Sequence, residues 1–192
     1  MIVEAGWIPL VLGCAGALVV VLYSAGKTPL SYLPIGELAS GFVMGGLIPL
    51  ASYQALTGVF DVRALLWAVP TILGVGLIMM TNNTCDIEKD VEAGRRTLPV
   101  LLGRDRARAA YHGLVFAWLA SIVVLVGAFF PSGLLVVAFM LLGCIPLLNA
   151  LLKNPLAPGA RIGAMAQICG LNIALGAFYA AAIFASTMTL VA

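Results

Sequence analysis

The sequence predicts an all-α fold of the polytopic membrane class, a bundle of six transmembrane helices forming one domain over residues 1–192, and three observations carry that prediction. Hydrophobic residues make up 62% of the chain and charged residues 9%, whereas a soluble domain is about half apolar and one quarter charged. Mean hydropathy is +1.12. The few charges are bunched, so that residues 5–26, 38–60, 64–85, 109–152 and 162–192 carry no Asp, Glu, Lys or Arg. Each window is at least as long as the ~20 residues a helix needs to cross a bilayer.

The first window gives a helix over 6–22. Its leading residues hold Glu4 but no Lys or Arg, and it runs into Lys27-Thr28-Pro29 rather than a small-residue cleavage site, so it reads as a retained helix and not a signal peptide. The second and third windows give helices over 37–56 and 64–84. Gly41, Gly45 and Gly46 in the one, and Gly74 and Gly76 in the other, form small faces at which membrane helices approach closely. The 109–152 window is long enough for two crossings, 109–130 and 133–152, parted by the turn-forming Pro131-Ser132-Gly133. The last window gives a helix over 163–190. Within these windows Asn149, Gln167 and Asn172 read as hydrogen-bonding groups between helices. His112, the only histidine, has no second histidine or acid near it in sequence and reads as a flanking residue.

Orientation follows from the basic residues. With loop 83–108 in the cytosol, Lys27, Lys89, Arg95, Arg96, Arg104, Arg106, Arg108, Lys153 and Arg161 share that side and only Arg63 lies opposite, as the positive-inside rule asks. Both termini then face outward. A net charge of +2 without a basic stripe leaves no electrostatic footprint for nucleic acid. Cys14, Cys85, Cys144 and Cys169 show no paired spacing and read as packing residues, not as a disulfide framework or thiolate cluster.

Chemistry concentrates in one place. Of eight acids, four fall within seven residues: Asp86, Glu88, Asp90 and Glu92, preceded by Asn82 and Asn83 and followed by Gly94, Arg95, Arg96 and Thr97. If the third helix continues past the membrane surface, Asn82, Asp86 and Asp90 share one face, each four residues from the next. Stacked carboxylates repel each other unless a cation joins them. Oxygen-only ligands favour Mg²⁺, which uses one or two carboxylates, its own waters and phosphate oxygens. Arg95 and Arg96 add fork-shaped donors and Thr97 a hydroxyl, all suited to phosphate. On spacing alone, a solvated charged loop remains an open reading; the start of the acids where the apolar helix ends sets a greasy tail in lipid beside a polar head at the metal.

The stretch Asn83-Thr84-Cys85-Asp86-Ile87-Glu88-Lys89-Asp90, followed by Ala93-Gly94-Arg95-Arg96-Thr97-Leu98-Pro99-Val100-Leu101-Leu102-Gly103, resembles the second aspartate-rich motif of the UbiA superfamily of intramembrane prenyltransferases. It is most similar to the dihydroxynaphthoate polyprenyltransferase branch, which serves menaquinone biosynthesis. Tyr23-Ser24-Ala25-Gly26-Lys27-Thr28-Pro29-Leu30-Ser31-Tyr32 with Gly36-Glu37 resembles that branch's earlier cytosolic loop. Cys85 stands where the branch usually has arginine, Arg95 where it has lysine and Pro99 where it has alanine.

The resemblance covers helices four to nine of a nine-helix fold and implies a UbiA-like bundle lacking the first three helices and, with them, the first aspartate-rich motif. It implies transfer of a polyprenyl group from a prenyl diphosphate to an aromatic acceptor. Asp86 and Asp90 would ligate Mg²⁺ with Asn83 or Asn82 assisting. Arg95, Arg96, Thr97 and Lys27 would hold phosphate, and Tyr23 would face the cavity. It further implies the cytoplasmic membrane of a bacterium or archaeon and a second membrane subunit carrying the first motif. The absent motif leaves a second reading open, a non-catalytic membrane scaffold or regulatory subunit descended from such an enzyme.

Overall fold

The computed structural model describes residues 6–188; Glu4 and the last residues of the sixth expected span lie outside them. Every element is helical, and no strand occurs among the described residues. The helices are α1 (Ile8–Ser24), α2 (Gly36–Phe42), α3 (Ile48–Thr57), α4 (Ala64–Trp67), α5 (Val69–Cys85), α6 (Ile87–Glu92), α7 (Leu98–Leu102), α8 (Arg104–Phe129), α9 (Leu134–Gly143), α10 (Ile145–Lys153) and α11 (Arg161–Met188).

Two helices are long and apolar enough to cross a membrane, Arg104–Phe129 and Pro158–Met188; α9 and α10 make a third crossing if their 46° bend lies within one span. Of the other expected spans, 6–22 is one unbroken helix of 17 residues, α1, while 37–56, 64–84 and 133–152 are divided, each with a proline just past the break. Pro146 follows the α9–α10 break, Pro70 follows the α4–α5 break, and Pro49 follows a π-helical segment, Val43–Leu47, between α2 and α3. Each ring lacks an N–H and crowds the carbonyl four residues earlier. At Pro49 that carbonyl belongs to Gly45, and the Thr71 hydroxyl donates to it at 2.6 Å. Counting charges finds the apolar windows but not these interruptions.

The glycines act as predicted. A Cβ at Gly45 would lie 2.5 Å from the Thr71 carbonyl oxygen, and one at Gly41 would lie 2.7 Å from that of Ile72, so backbone meets backbone where α2 and the π segment cross α5. Gly74 gives the same clearance on the other side of α5, where Asn172 Nδ2 donates to its carbonyl at 3.0 Å. Gln167 also bonds between segments, accepting from Asn154 Nδ2 at 2.8 Å. Helix α5 is thereby the hub, packed on α2, α8 and α11. The buried core, including Leu77, Met80, Tyr111, Trp118, Ile168 and Leu171, fills the space among α5, α8 and α11. Helix α1 contributes no buried residue and leans on α3 and the π segment. All four cysteines are free.

Candidate functional site

Helix α5 ends at Cys85, yet the hydrogen-bond ladder runs on across the kink: Asp86 N donates to Asn82 O at 3.1 Å and Asp90 N to Asp86 O at 2.9 Å. The expected stacking of Asn82, Asp86 and Asp90 therefore survives in the backbone, bent at Asp86, whose φ of −103° and ψ of 17° leave the helical region. Side chains then part the two aspartates.

Asp90 is buried, 2% exposed. Arg95 Nη1 donates to its Oδ1 at 2.7 Å and Thr97 Oγ1 to its Oδ2 at 3.2 Å. Arg95 also donates to the Ser31 carbonyl at 2.8 Å and lies 5.4 Å over the Tyr32 ring, while Arg96 N donates to Tyr32 O at 2.7 Å. The result is a clasp between the aspartate-rich loop and the 3₁₀ turn Leu30–Tyr32. Gly94, at φ +69°, turns the chain so that Arg95 comes back to Asp90, a left-handed conformation suited to glycine.

Asp86 faces elsewhere. Its Oδ2 makes an ion pair with Arg161 Nε at 2.8 Å, and Arg161 Nη2 donates to Asn82 Oδ1 at 2.6 Å. The arginine that opens α11 thus spans the first turn of the motif. Asp86 Oδ1 is buried without a hydrogen-bond partner, with Lys89 Nζ 3.9 Å away. Asn83 is buried and donates from Nδ2 to Glu37 Oε1 at 2.9 Å. The remaining oxygen of Glu37, Oε2, is buried with no partner.

Glu88 projects from the other flank. Arg104 Nη2 reaches both of its oxygens, at 2.7 and 2.8 Å, and these bonds hold the Glu88 carboxyl below the usual carboxylate range. Arg104 Nη1 also donates to Thr84 O at 2.9 Å and to Leu156 O. Lys27 and the Arg96 side chain are exposed and make no ion pair among the described residues. Tyr23 is half-buried, its hydroxyl unpartnered, in the wall of an apolar cavity of about 230 Å³ beside Val43 and Met79. Cys85, where arginine was the usual residue, is fully buried.

The structure thus gathers Asn82, Asn83, Asp86, Asp90, Arg95 and Thr97 at one end of the bundle and leaves Lys27 and Arg96 in solvent. Sequence reasoning missed Arg161 and Arg104 as partners of the acids, because their pairings span 75 and 16 residues and follow no local spacing. Glu37 did carry a signal: a single acid at the first turn of an otherwise uncharged window, a position at which ionisable residues are costly.

Among the described residues no three His, Cys, Asp or Glu side chains converge to hold a metal unaided. The donor chemistry nonetheless fits Mg²⁺, since Asp86 Oδ1 is a buried carboxylate oxygen without a hydrogen bond and Asn82 Oδ1 lies one turn away. Mg²⁺ is satisfied by one or two carboxylates when phosphate and water complete its shell.

Known proteins are similar to parts of this chain. The 1,4-dihydroxy-2-naphthoate octaprenyltransferase of Bacillus subtilis (strain 168) is 33% identical over 124 residues, 63% of this chain and 40% of that protein. UbiA prenyltransferase domain-containing protein 1 of Danio rerio is 28% identical over 162 residues, 82% of this chain and 45% of that protein. The Homo sapiens protein of the same name is 33% identical over 95 residues, 50% of this chain and 28% of that protein. The chain therefore spans less than half the length of these relatives. No solved structure matches it. The UbiA prenyltransferase family matches residues 1–161, far more than half of the sequence, and the chain belongs to that family.

Proposed function

We propose that this chain takes part in Mg²⁺-dependent transfer of a polyprenyl group from a prenyl diphosphate to an aromatic acceptor, dihydroxynaphthoate or a close analogue, in quinone biosynthesis. The observation that carries the reading is the Glu37–Asn83 hydrogen bond. It joins the aspartate-rich end of α5 to the wall of an apolar cavity, the adjacency that a charged head and an apolar reacting centre require. The family match over residues 1–161 and the likeness to a prenyltransferase support it.

In this reading Asp86 and Asp90 hold Mg²⁺ with Asn82 or Asn83 assisting, and the ion, when bound, neutralises charge on the departing diphosphate. Arg95, Arg96, Thr97 and Lys27 orient the phosphates, and Tyr23 borders the cavity that keeps water from the allylic centre. Asp90 starts out bonded to Arg95, so each would exchange its partner, the acid for the cation and the guanidinium for a phosphate oxygen. The chain crosses the membrane six times, the bent and interrupted segments counting as crossings, with loop 83–108 cytosolic and both ends outside. The sequence contains one aspartate-rich motif. A second membrane subunit supplies the facing one.

The test is turnover. Membranes bearing the chain with its partner are given a polyprenyl diphosphate, Mg²⁺ and dihydroxynaphthoate, and prenylated product is measured. Asp86→Asn and Asp90→Asn should each lower the rate by at least about a hundredfold, as loss of a principal electrostatic stabiliser does. Full activity in both variants would remove the metal assignment. Absence of product from every combination would favour the scaffold reading, which the single motif also fits.

A further inference from the structure

Resting on the reading that Asp86 and Asp90 hold a divalent cation, we infer that Arg104 is a positioning residue. Its one guanidinium braces the bend at Asp86 from both sides and so sets the direction in which the two carboxylates are presented. The bend is where the motif departs from a straight helix, α5 ending at Cys85 and α6 starting at Ile87. Arg104 Nη1 donates to Thr84 O, on the near side of Asp86, at 2.9 Å. On the far side Nη2 reaches both oxygens of Glu88, at 2.7 and 2.8 Å. A planar guanidinium holds its donors in a fixed fork, so it sets the angle as well as the distance between the groups it joins.

Two arginines share this turn, and their pairings interlock. Arg161 takes Asn82 and Asp86, and Arg104 takes Thr84 and Glu88. The members of each pair lie about one helical turn apart. Each arginine is also the first residue of its helix, α11 and α8 respectively, where the helix dipole disfavours a cation. Neither helix gains by starting on arginine, so the gain lies in the contacts. The two part company when a cation arrives. Asp86 belongs to the ligand set, so Arg161 must give it up. Glu88 does not, so Arg104 keeps its partners and the bend stays fixed while the aspartates exchange theirs.

Arg104 is itself anchored. Its side chain is 25% exposed, and Nη1 also donates to the Leu156 carbonyl. Leu156 is fully buried and has φ +50°, the one non-glycine residue at positive φ among the described residues. A branched residue stays in the left-handed region only where its surroundings over-determine it. Here its N–H donates to Asn154 Oδ1 at 3.0 Å, and Asn154 Nδ2 donates to Gln167 Oε1 at 2.8 Å. The strained turn thus carries a carbonyl to Arg104 and ties the brace to α11, the helix that supplies Arg161.

Charge and position predict opposite signs. The segment beside Arg104 holds four acids, Asp86, Glu88, Asp90 and Glu92. By charge alone, removing the guanidinium lets a dication bind there more tightly. By position it binds more weakly, since residues that orient metal ligands are worth about 10–100-fold in affinity.

In the experiment Mn²⁺, a paramagnetic stand-in for Mg²⁺, is titrated without diphosphate into the full chain in zwitterionic lipid nanodiscs. Uptake by empty nanodiscs is subtracted, and the free ion is read by electron paramagnetic resonance. Hydrogen exchange across residues 86–90 is followed by mass spectrometry on the same samples without metal. Arg161→Met, which removes a competitor for Asp86, should tighten Mn²⁺ binding. Arg104→Met should weaken it by about tenfold or more, both alone and beside Arg161→Met. Arg104→Lys keeps the charge but has no fork with which to span the bend, and should weaken it by several fold. Both Arg104 variants should lose exchange protection over 86–90.

Mn²⁺ bound as tightly to Arg104→Met as to its parent, or more tightly, overturns the assignment. So does full affinity in Arg104→Lys, which decides alone if the methionine variant does not fold. If neither the wild type nor Arg161→Met takes up Mn²⁺, the cation reading falls and exchange judges the brace: lost protection in the two Arg104 variants keeps it, and unchanged protection removes it. If Asp86→Asn abolishes uptake while the Arg104 variants bind like their parents, the cation reading stands and the brace falls.

Discussion

The Asp90–Arg95 clasp should prove strongly coupled, and its strength can be worked from where the two side chains lie. The Asp90 side chain is 3% exposed, that of Arg95 23%, and their charged atoms are 2.7 Å apart. Exposed pairs contribute about 0.2–1 kcal/mol, whereas removing one member of a buried pair costs about 3–5 kcal/mol. Arg95 keeps some water and has further partners in Ser31 O and the Tyr32 ring, so the coupling falls between, at about 2 kcal/mol. The cycle uses Asp90→Asn, which preserves shape and the Thr97 contact, and Arg95→Met, which preserves the stem. Each single change should cost about 2 kcal/mol and the double change little more, because each partner's loss strands the other. The assay is equilibrium unfolding of the full chain in mixed micelles of rising dodecyl sulfate content, followed by helical circular dichroism. A coupling of about 2 kcal/mol is roughly a thirtyfold change in the unfolding constant. Additive losses, within about 0.5 kcal/mol, would show that proximity here is not interaction.

Two other consequences are direct. Gly45→Ala should destabilise the bundle by about 1–3 kcal/mol, the cost of overpacking, because its Cβ would lie 2.5 Å from the Thr71 carbonyl oxygen and backbone cannot swing aside; Gly76→Ala, with 3.5 Å of clearance, is the tolerated control in the same unfolding assay. The Glu88–Arg104 pair should show a signed pH dependence. Arg104 depresses the folded carboxyl below its ordinary value of 4.5, so its contribution is fully present above that value and is lost as pH falls through the lower, folded one. The melting difference between wild type and Glu88→Gln should therefore be flat near neutral pH and shrink in acid; a difference that grows in acid would reverse the assignment.

What the sequence disclosed depended on the range of the interaction responsible. Apolar windows, glycine faces and the i, i+4 stacking of Asn82, Asp86 and Asp90 are local patterns, and the helices follow them. The interruptions at Pro49, Pro70 and Pro146 were equally local but hidden behind charge counting, which sees an uncharged window as a whole span. Pairings such as Arg161 with Asp86 and Asn83 with Glu37 join residues 75 and 46 positions apart, and only the packing of α11 and α2 on α5 decides them. The aspartates could be placed in one motif from their spacing. That one is held by Arg95 and the other by Arg161 could not.

These long-range pairings bear on how a cation and a diphosphate would enter. Asp86 is matched by Arg161 and Asp90 by Arg95, so each aspartate already has a charge partner within the chain. Releasing Asp86 to a metal alone strands the Arg161 guanidinium; drawing Arg95 to a phosphate alone strands a buried carboxylate, the costlier of the two losses. When both ligands come together, every charge regains a partner, acid with cation and arginine with phosphate. The two should therefore bind with positive coupling of about 1–3 kcal/mol, the usual span for linked sites. Titrating the chain with geranyl diphosphate in Mg²⁺ and in EDTA measures that coupling, and by reciprocity the Mg²⁺ affinity must shift by the same factor when diphosphate is present. Arg161→Met removes one of the charges that must be rehoused, so metal alone should bind it more tightly and the coupling should fall. Were the coupling unchanged in that variant, Arg161 would be a strut for α11 and not part of the exchange.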